Sequence, residues 1–288
     1  LDRWHRRLGH PNDKVIKHLE DHVTGVEINT TTRPTCESCK ISTAKQQISR
    51  RPMAVGSAPW EIAHFDIVPM SESWDGMKYF IHFYCLKSGD NEAIHVHSKS
   101  VLSSAVVEFE KKKKRQGFII KAFHTDSEQS LNNMFIAHIR RNGIELRQSA
   151  PYSPQQNGAS ERSGGVIVSM ARTILTEGNM PENLWPLAID HAIYLLKRLP
   201  KEKLGWKTPY EIIQNVTKLE KSTIPNLGHI KIFGCKAYRK IPSTQIPRLE
   251  KMAPRAEIGY LVGYDASNIF KIWIPEESSV VRHRDVKF

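Results

Sequence analysis

Residues 61–68 (EIAHFDIV), 77–86 (MKYFIHFYCL) and 93–97 (AIHVH) are three short runs dominated by apolar, aromatic and β-branched residues. Each has the length and composition of a strand. The turn formers Asp75-Gly76 and Gly89-Asp90-Asn91 separate them, which predicts adjacent antiparallel strands joined by hairpins. Downstream the period changes. Residues 103–116 have helical spacing, with Val106, Val107 and Phe109 ahead of a basic end, and Gly117 stops them. Residues 118–123 read as a short apolar strand, 132–142 as a helix closed by Gly143, and 144–148 as a strand. After the loop PYSPQQNG (151–158), residues 160–176 and 183–198 read as helices. Three hairpin-linked strands followed by alternating helices and strands make an α/β order with a mixed five-stranded sheet.

Outside this block the chain differs in character. Residues 1–45 carry two pairs of metal-ligating side chains, and 46–59 read as a polar, basic linker. The α/β core is expected over 60–203. From 204 to 288, short β-rich runs such as HIKIFGCKAYRKI, EIGYLVGY and FKIWIP predict a small β-rich C-terminal region. The chain starts at Leu1 rather than Met, and is read as a piece of a longer polyprotein.

Composition narrows the function. The 288 residues are 40% hydrophobic and 25% charged, which excludes low-complexity and wholly disordered classes. Forty-two Lys and Arg against 30 Asp and Glu leave a net charge of +12. Such a surplus points to a polyanion, nucleic acid before membrane. The longest apolar stretch, 184–196, contains Asp190 and His191, so no transmembrane span is expected. Four cysteines do not make a disulfide scaffold, and a reducing compartment is expected.

His5 and His10, with four residues between them, and Cys36 and Cys39, with two, form the clearest metal pattern. Zinc takes four N or S donors in a tetrahedron, and two close pairs joined by a loop supply them. Four protein ligands leave no open position, so one structural Zn²⁺ is expected there. Cys85 and Cys235 lie in apolar runs and read as buried hydrophobes. Asp66 lies late in a predicted strand, Asp126 follows one and Glu161 opens a helix, places where α/β sheets gather functional groups. Three carboxylates from separate elements could hold the two Mg²⁺ ions that phosphoryl transfer uses. Single acids at such positions are also ordinary turn and cap residues, and pattern alone does not raise these three above Asp75, Asp90 and Glu128. His64, on the strand face of Asp66, could approach the metal pair, but reads rather as a hydrogen-bonded structural histidine, since imidazole is a poor Mg²⁺ ligand. The run Lys111–Arg115 reads as a solvated helix end, with a nuclear-import signal or a DNA-backbone contact as the alternatives. Trp185, in an apolar helix, reads as core or subunit interface.

A resemblance lifts the triad above its competitors. His5-x4-His10, Cys36-x2-Cys39, Asp66, Asp126 and the run SPQQNGASE (153–161) resemble a retroviral-type integrase of copia-type LTR retrotransposons. So do WHRRLGHP, LWPLAIDHAIYLLKRLP, KTPYEII, HIKIFGCKAY, PRAEIGYLVGY and the closing VVRHRDVKF, in the expected order over nearly the whole chain. The resemblance implies an RNase H-like core whose Asp66, Asp126 and Glu161 bind two Mg²⁺ or Mn²⁺ ions. It further implies 3′-end processing of element DNA and joining of the 3′-hydroxyls to target double-stranded DNA. Gln155, Asn157 and Arg162 would contact DNA phosphates. A homo-oligomer is implied, and a nuclear location with a cytoplasmic particle stage.

This chain departs from the family twice. Between Asp126 and Glu161 lie 34 residues, one fewer than is customary. After the second acid the family reads Asp-x-Gly-x-Glu-Phe, whereas here the run is Asp126-Ser-Glu128-Gln-Ser130-Leu131. The intact acids favour the enzyme, and Glu128 and Ser130 favour a non-catalytic integrase-derived DNA-binding protein. A structure-specific nuclease would share the metal chemistry but has no reason to carry the His/Cys module.

Overall fold

A computed structural model describes residues 1–29, 32–42, 55–125, 131–148, 158–218, 222–241, 252 and 254–288, the side chains of 148 and 158–161 excepted. The N-terminal part holds four short helices: α1 (Asp2–Arg7), α2 (Asp13–Lys17), α3 (Leu19–His22) and α4 (Glu37–Ser42). The central sheet follows with β1 (Ile62–Pro69), β2 (Tyr79–Tyr84) and β3 (Asn91–Val96), then α5 (Leu102–Arg115), β4 (Ala122–Thr125), α6 (Asn133–Arg141) and β5 (Glu145–Gln148). Helices α7 (Gly158–Glu177), α8 (Trp185–Leu196) and α9 (Pro209–Thr217) lead into β6 (Lys236–Lys240), β7 (Ala256–Ala266), β8 (Ile269–Ile274), β9 (Ser279–His283) and β10 (Val286–Lys287).

The first sheet has strand order β3-β2-β1-β4-β5. β1 pairs antiparallel with β2 and parallel with β4, so the sheet is mixed, as an RNase H-like core requires. Its two faces follow from the period-two alternation of strands. Ala63, Phe65, Ile81 and Phe83 turn to a core shared with Phe109 of α5 and Phe135 of α6. Phe83 and Phe109 stack with centroids 3.8 Å apart, and Phe65 meets Phe123 edge-on at 5.7 Å. Each such ring removed from water contributes about 1.5–3 kcal/mol. The opposite face carries His64, Asp66, Phe80 and His82, and α7 and α8 cover it.

Strand β4 begins at Ala122 rather than Phe118 because its ladder with β1 begins at Ile62. Phe118 and Ile120 are buried without being paired strand residues.

The second sheet is antiparallel, in the order β10-β6-β7-β8-β9. Gly259 of β7 packs so closely that a Cβ there would lie 2.4 Å from Ile272 Cγ2. Residues 204–235 precede its first strand and carry α9, a helix outside the β-rich reading. A capping box starts α9: Thr208 Oγ1 accepts from Glu211 N, and Glu211 Oε2 from Thr208 N. Helix α8 is apolar on nearly all sides because it lies between the two sheets, against β3 and β7. Trp185 belongs to this core, and its indole Nε1 donates to Ser71 O at 2.8 Å. Among the described residues, no helix is long and apolar enough to cross a membrane.

The solvated-end reading of Lys111–Arg115 fails at Lys113, which is 2% exposed. Its Nζ lies 2.5 Å from Glu92 Oε1 and 4.1 Å from the Trp60 ring centroid. The last turn of α5 lies against β3, so one lysine in the run points inward and the burial is offset by the carboxylate and the aromatic faces. Cys85 is fully buried, its sulfur accepting from Trp60 N at 3.0 Å, whereas Cys235 is only partly buried.

Candidate metal centre and acid site

Helix α1 ends before Gly9, and Gly9 and His10 both adopt positive φ, 71° and 63°. This left-handed turn folds the chain back and brings the His10 ring to His5, a juxtaposition that helical spacing alone would not produce. Glycine suits position 9 because a side chain rarely adopts φ of 71°, and a Cβ there would also crowd the Met170 and Ile174 side chains of α7. Cys36 and Cys39 straddle the start of α4. The four side chains converge, with one ligand atom of each within 4.8 Å of all the others. His10 Nδ1 is 3.1 Å from His5 Nε2 and 3.2 Å from Cys36 Sγ, and Cys39 Sγ is 3.4 Å from His5 Nε2. A zinc tetrahedron built from usual bond lengths has edges of roughly 3.3–3.8 Å, so the donor set fits that ion.

The surroundings prepare the ligands. His5 Nδ1 lies 2.9 Å from Pro11 O, which leaves Nε2 free to ligate. Burial, with His5 beside it, pushes His10 down to about 4, and burial lowers His5 as well, so both rings are neutral at pH 7. Burial and the neighbouring Cys36 raise Cys39 to about 11; a bound dication would favour the thiolate instead.

Asp66 lies on β1, the central strand, and is partly exposed. Its Oδ1 accepts from Ile67 N at 2.8 Å. Its cross-strand partner is His82, and the last β1–β4 pair is His64 with His124. Asp126, two positions past His124, lies outside the described residues, as do Gln155 and Asn157. Glu161 belongs to the first turns of α7, and its side chain lies outside the described set. Arg162 is exposed on the same helix.

A polar network that sequence reading missed links α7 to the Asp66 strand pair. Ser163 Oγ donates to Asn91 Oδ1 at 2.6 Å, and that oxygen lies 2.8 Å from His82 Nε2. Gly164 stands close by: a Cβ there would be 3.4 Å from His82 Nδ1. Period-two parity places His82 and Asn91 on the Asp66 face, but nothing local marks them as partners of a helix more than 70 residues away. His64 also departs from expectation. It is 2% exposed, its centroid lies 4.8 Å from that of His124, and neither ring nitrogen has a hydrogen-bond partner. Burial together with His124 holds it down near 3. Arg172 of α7 donates to Ser42 O at 3.3 Å, an internal contact with α4.

Two family descriptions match parts of the chain: the GAG-pre-integrase domain over residues 1–44 and the retroviral polymerase SH3-like domain over 235–288. The retrovirus-related Pol polyprotein from transposon TNT 1-94 of Nicotiana tabacum is 28% identical over all of this chain, which covers 21% of that protein. Those from transposons RE1 and RE2 of Arabidopsis thaliana are 25% and 26% identical over 82% of this chain and 16% of theirs. The chain thus spans about a fifth or less of these relatives. Among solved structures, a chain of the simian T-cell lymphotropic virus intasome in complex with PP2A regulatory subunit B56 gamma is similar at TM-score 0.48 and 17% identity, over 87% of this chain and 85% of that one. The HTLV-2 integrase catalytic core domain in complex with magnesium is similar at TM-score 0.42 and 18% identity, over 55% of this chain and 98% of that one. The order of the motifs, the Pol polyprotein relatives and the two family descriptions together support a retrotransposon integrase, which the chain resembles over nearly its whole length.

Proposed function

We propose that the chain processes the 3′ ends of element DNA and joins them to target DNA, using Asp66, Asp126 and Glu161 to hold two Mg²⁺ or Mn²⁺ ions. One observation carries this reading. Asp66 stands on the central strand, and the Ser163–Asn91–His82 network ties the α7 turns just after Glu161 to its cross-strand neighbour. Carboxylate oxygens are the donors that hard divalent ions take. Bound there, such ions would activate the nucleophile and stabilise the leaving oxygen in an in-line displacement. In joining, the element's 3′-oxygen forms a new bond to a target phosphorus, the bond to the target's own 3′-oxygen breaks, and that oxygen leaves with a proton. No covalent protein intermediate is needed. His5, His10, Cys36 and Cys39 would hold a structural Zn²⁺, and the divisions 1–45, 46–59, 60–203 and 204–288 would act as zinc module, linker, catalytic core and C-terminal region. Double-stranded DNA is the partner the +12 charge suits. Arg162 is an exposed cation beside Glu161, and Gln155 and Asn157 precede it on the loop. Action as a homo-oligomer in the nucleus, after a stage in a cytoplasmic particle, completes the reading.

The test is a Mg²⁺-dependent joining assay with an oligonucleotide bearing the element's terminal sequence. Joined product is expected from the native chain, and from Asp66→Asn less by two orders of magnitude or more, because a dication loses a charged ligand. Full joining by Asp66→Asn refutes the assignment. The run Asp126-Ser-Glu128-Gln-Ser130 favours a second reading, a non-catalytic DNA-binding descendant. DNA binding without joining or nicking in either metal selects it.

A further inference from the structure

Helix α7 has Glu161 near its start, and its last residue, Glu177, reaches into the His/Cys module. Arg6 Nε donates to Glu177 Oε1 at 2.6 Å, and Ser38 Oγ to Oε2 at 3.2 Å. One turn earlier on α7, Thr173 Oγ1 lies 2.6 Å from Ser42 Oγ in a buried contact. The apolar side is continuous too, since Trp4, Leu8 and Ile16 share one core with Ile167, Met170 and Ile174. The module is therefore docked on α7 by both polar and apolar contacts.

Among the described residues, His10 Nε2 is buried in this docking without a hydrogen bond, and an ionic neighbour, Glu177 Oε2, lies 4.0 Å away. His10 and Glu177 line a common small cavity of about 10 Å³, roughly the room of one water. The converging ligand atom of His10 is Nδ1. A metal on Nδ1 leaves Nε2 as the only place for the ring proton. That N–H is then a buried donor in need of an acceptor, and metal-ligating histidines regularly donate it to a carboxylate. We propose that Glu177, on the core helix, is this acceptor, directly or through one water, so that metal binding at the module and its docking on α7 reinforce one another. Glu177 is thus a positioning residue for the zinc ligand His10, although it lies outside residues 1–45. The inference rests on the zinc reading given above.

The experiment uses the full chain and zinc itself, with affinity read by competition against a chromogenic chelator. Glu177→Ala should weaken zinc binding about 10- to 100-fold, as loss of an outer partner usually does. Glu177→Gln keeps an acceptor oxygen and should stay within about threefold of the native chain. Arg6→Ala removes the Arg6–Glu177 ion pair but not the acceptor, and should weaken binding far less than Glu177→Ala. In the unsubstituted chain, stripping zinc should speed amide exchange at Thr173–Glu177, a measurement that needs no variant to fold. Native affinity in Glu177→Ala overturns the proposal, as does an Arg6→Ala loss equal to it, or exchange in α7 indifferent to zinc. A native chain that binds no zinc overturns the zinc reading and this inference with it; zinc binding with unmoved variants overturns this inference alone.

Discussion

Replacing His191 by leucine should flatten the acid side of the stability profile. His191 lies on α8, is 2% exposed, and its Nδ1 has no hydrogen-bond partner. Its ring meets Phe233 edge-on at 5.1 Å and stacks on Tyr264 at 5.4 Å. Burial alone pushes it down to about 3. In the unfolded chain the group titrates near 6.5. The folded state therefore refuses a proton that the unfolded state accepts. Stability is intact above pH 6.5 and falls as pH drops from there towards 3. At pH 5 the unfolded state gains RT ln(1 + 10^1.5), about 2 kcal/mol, from this group, against almost nothing at pH 7. For a chain of this length that corresponds to about 3 °C in Tm. Urea titrations of the native chain and His191→Leu at pH 7, 6 and 5 measure it. Between pH 7 and 5 the native chain should lose about 2 kcal/mol more than the variant. Other histidines lowered by desolvation, such as the buried His82 at about 4 and the half-buried His229 at about 4, act equally on both proteins and cancel. Parallel profiles, with the two proteins differing by a constant, would refute the reasoning.

Three further outcomes follow from the same contacts. Cys36→Ser should abolish stoichiometric zinc and loosen residues 1–42, because binding and folding are linked in small zinc modules; a folded N-terminus by amide exchange, with no zinc by metal analysis, contradicts this. Arg162→Ala should weaken duplex binding about equally for all sequences and reduce the log–log salt slope by about one, since a phosphate contact carries no base information; loss confined to one sequence by fluorescence anisotropy would point to base readout instead. Phe65→Ala should cost about 3–5 kcal/mol in chemical denaturation, because the ring is 1% exposed amid Phe83, Phe123 and Phe135, and the cavity cannot easily collapse; a cost below about 1 kcal/mol would mean the sheet repacks.

Local pattern determined much of this protein. Alternation in EIAHFDIV and MKYFIHFYCL marked β1 and β2 and assigned Phe65 and Asp66 to opposite faces, because a strand's period is two. Spacing marked the two ligand pairs, because zinc's donors come in close pairs. The acids had no such signature, and only the resemblance of the whole motif order singled out Asp66. Tertiary structure decided what depends on partners distant along the chain. Lys113 is buried because Glu92 and Trp60 receive it. His64 is buried beside His124 of β4 and Tyr84 of β2, and among the described residues neither ring nitrogen finds a hydrogen-bond partner. Ser163 meets Asn91, and Glu177 meets Arg6, across 72 and 171 residues. A hydrogen bond or ion pair leaves no periodic trace in either of its sequence neighbourhoods; it exists only once packing of the apolar faces has brought both ends together.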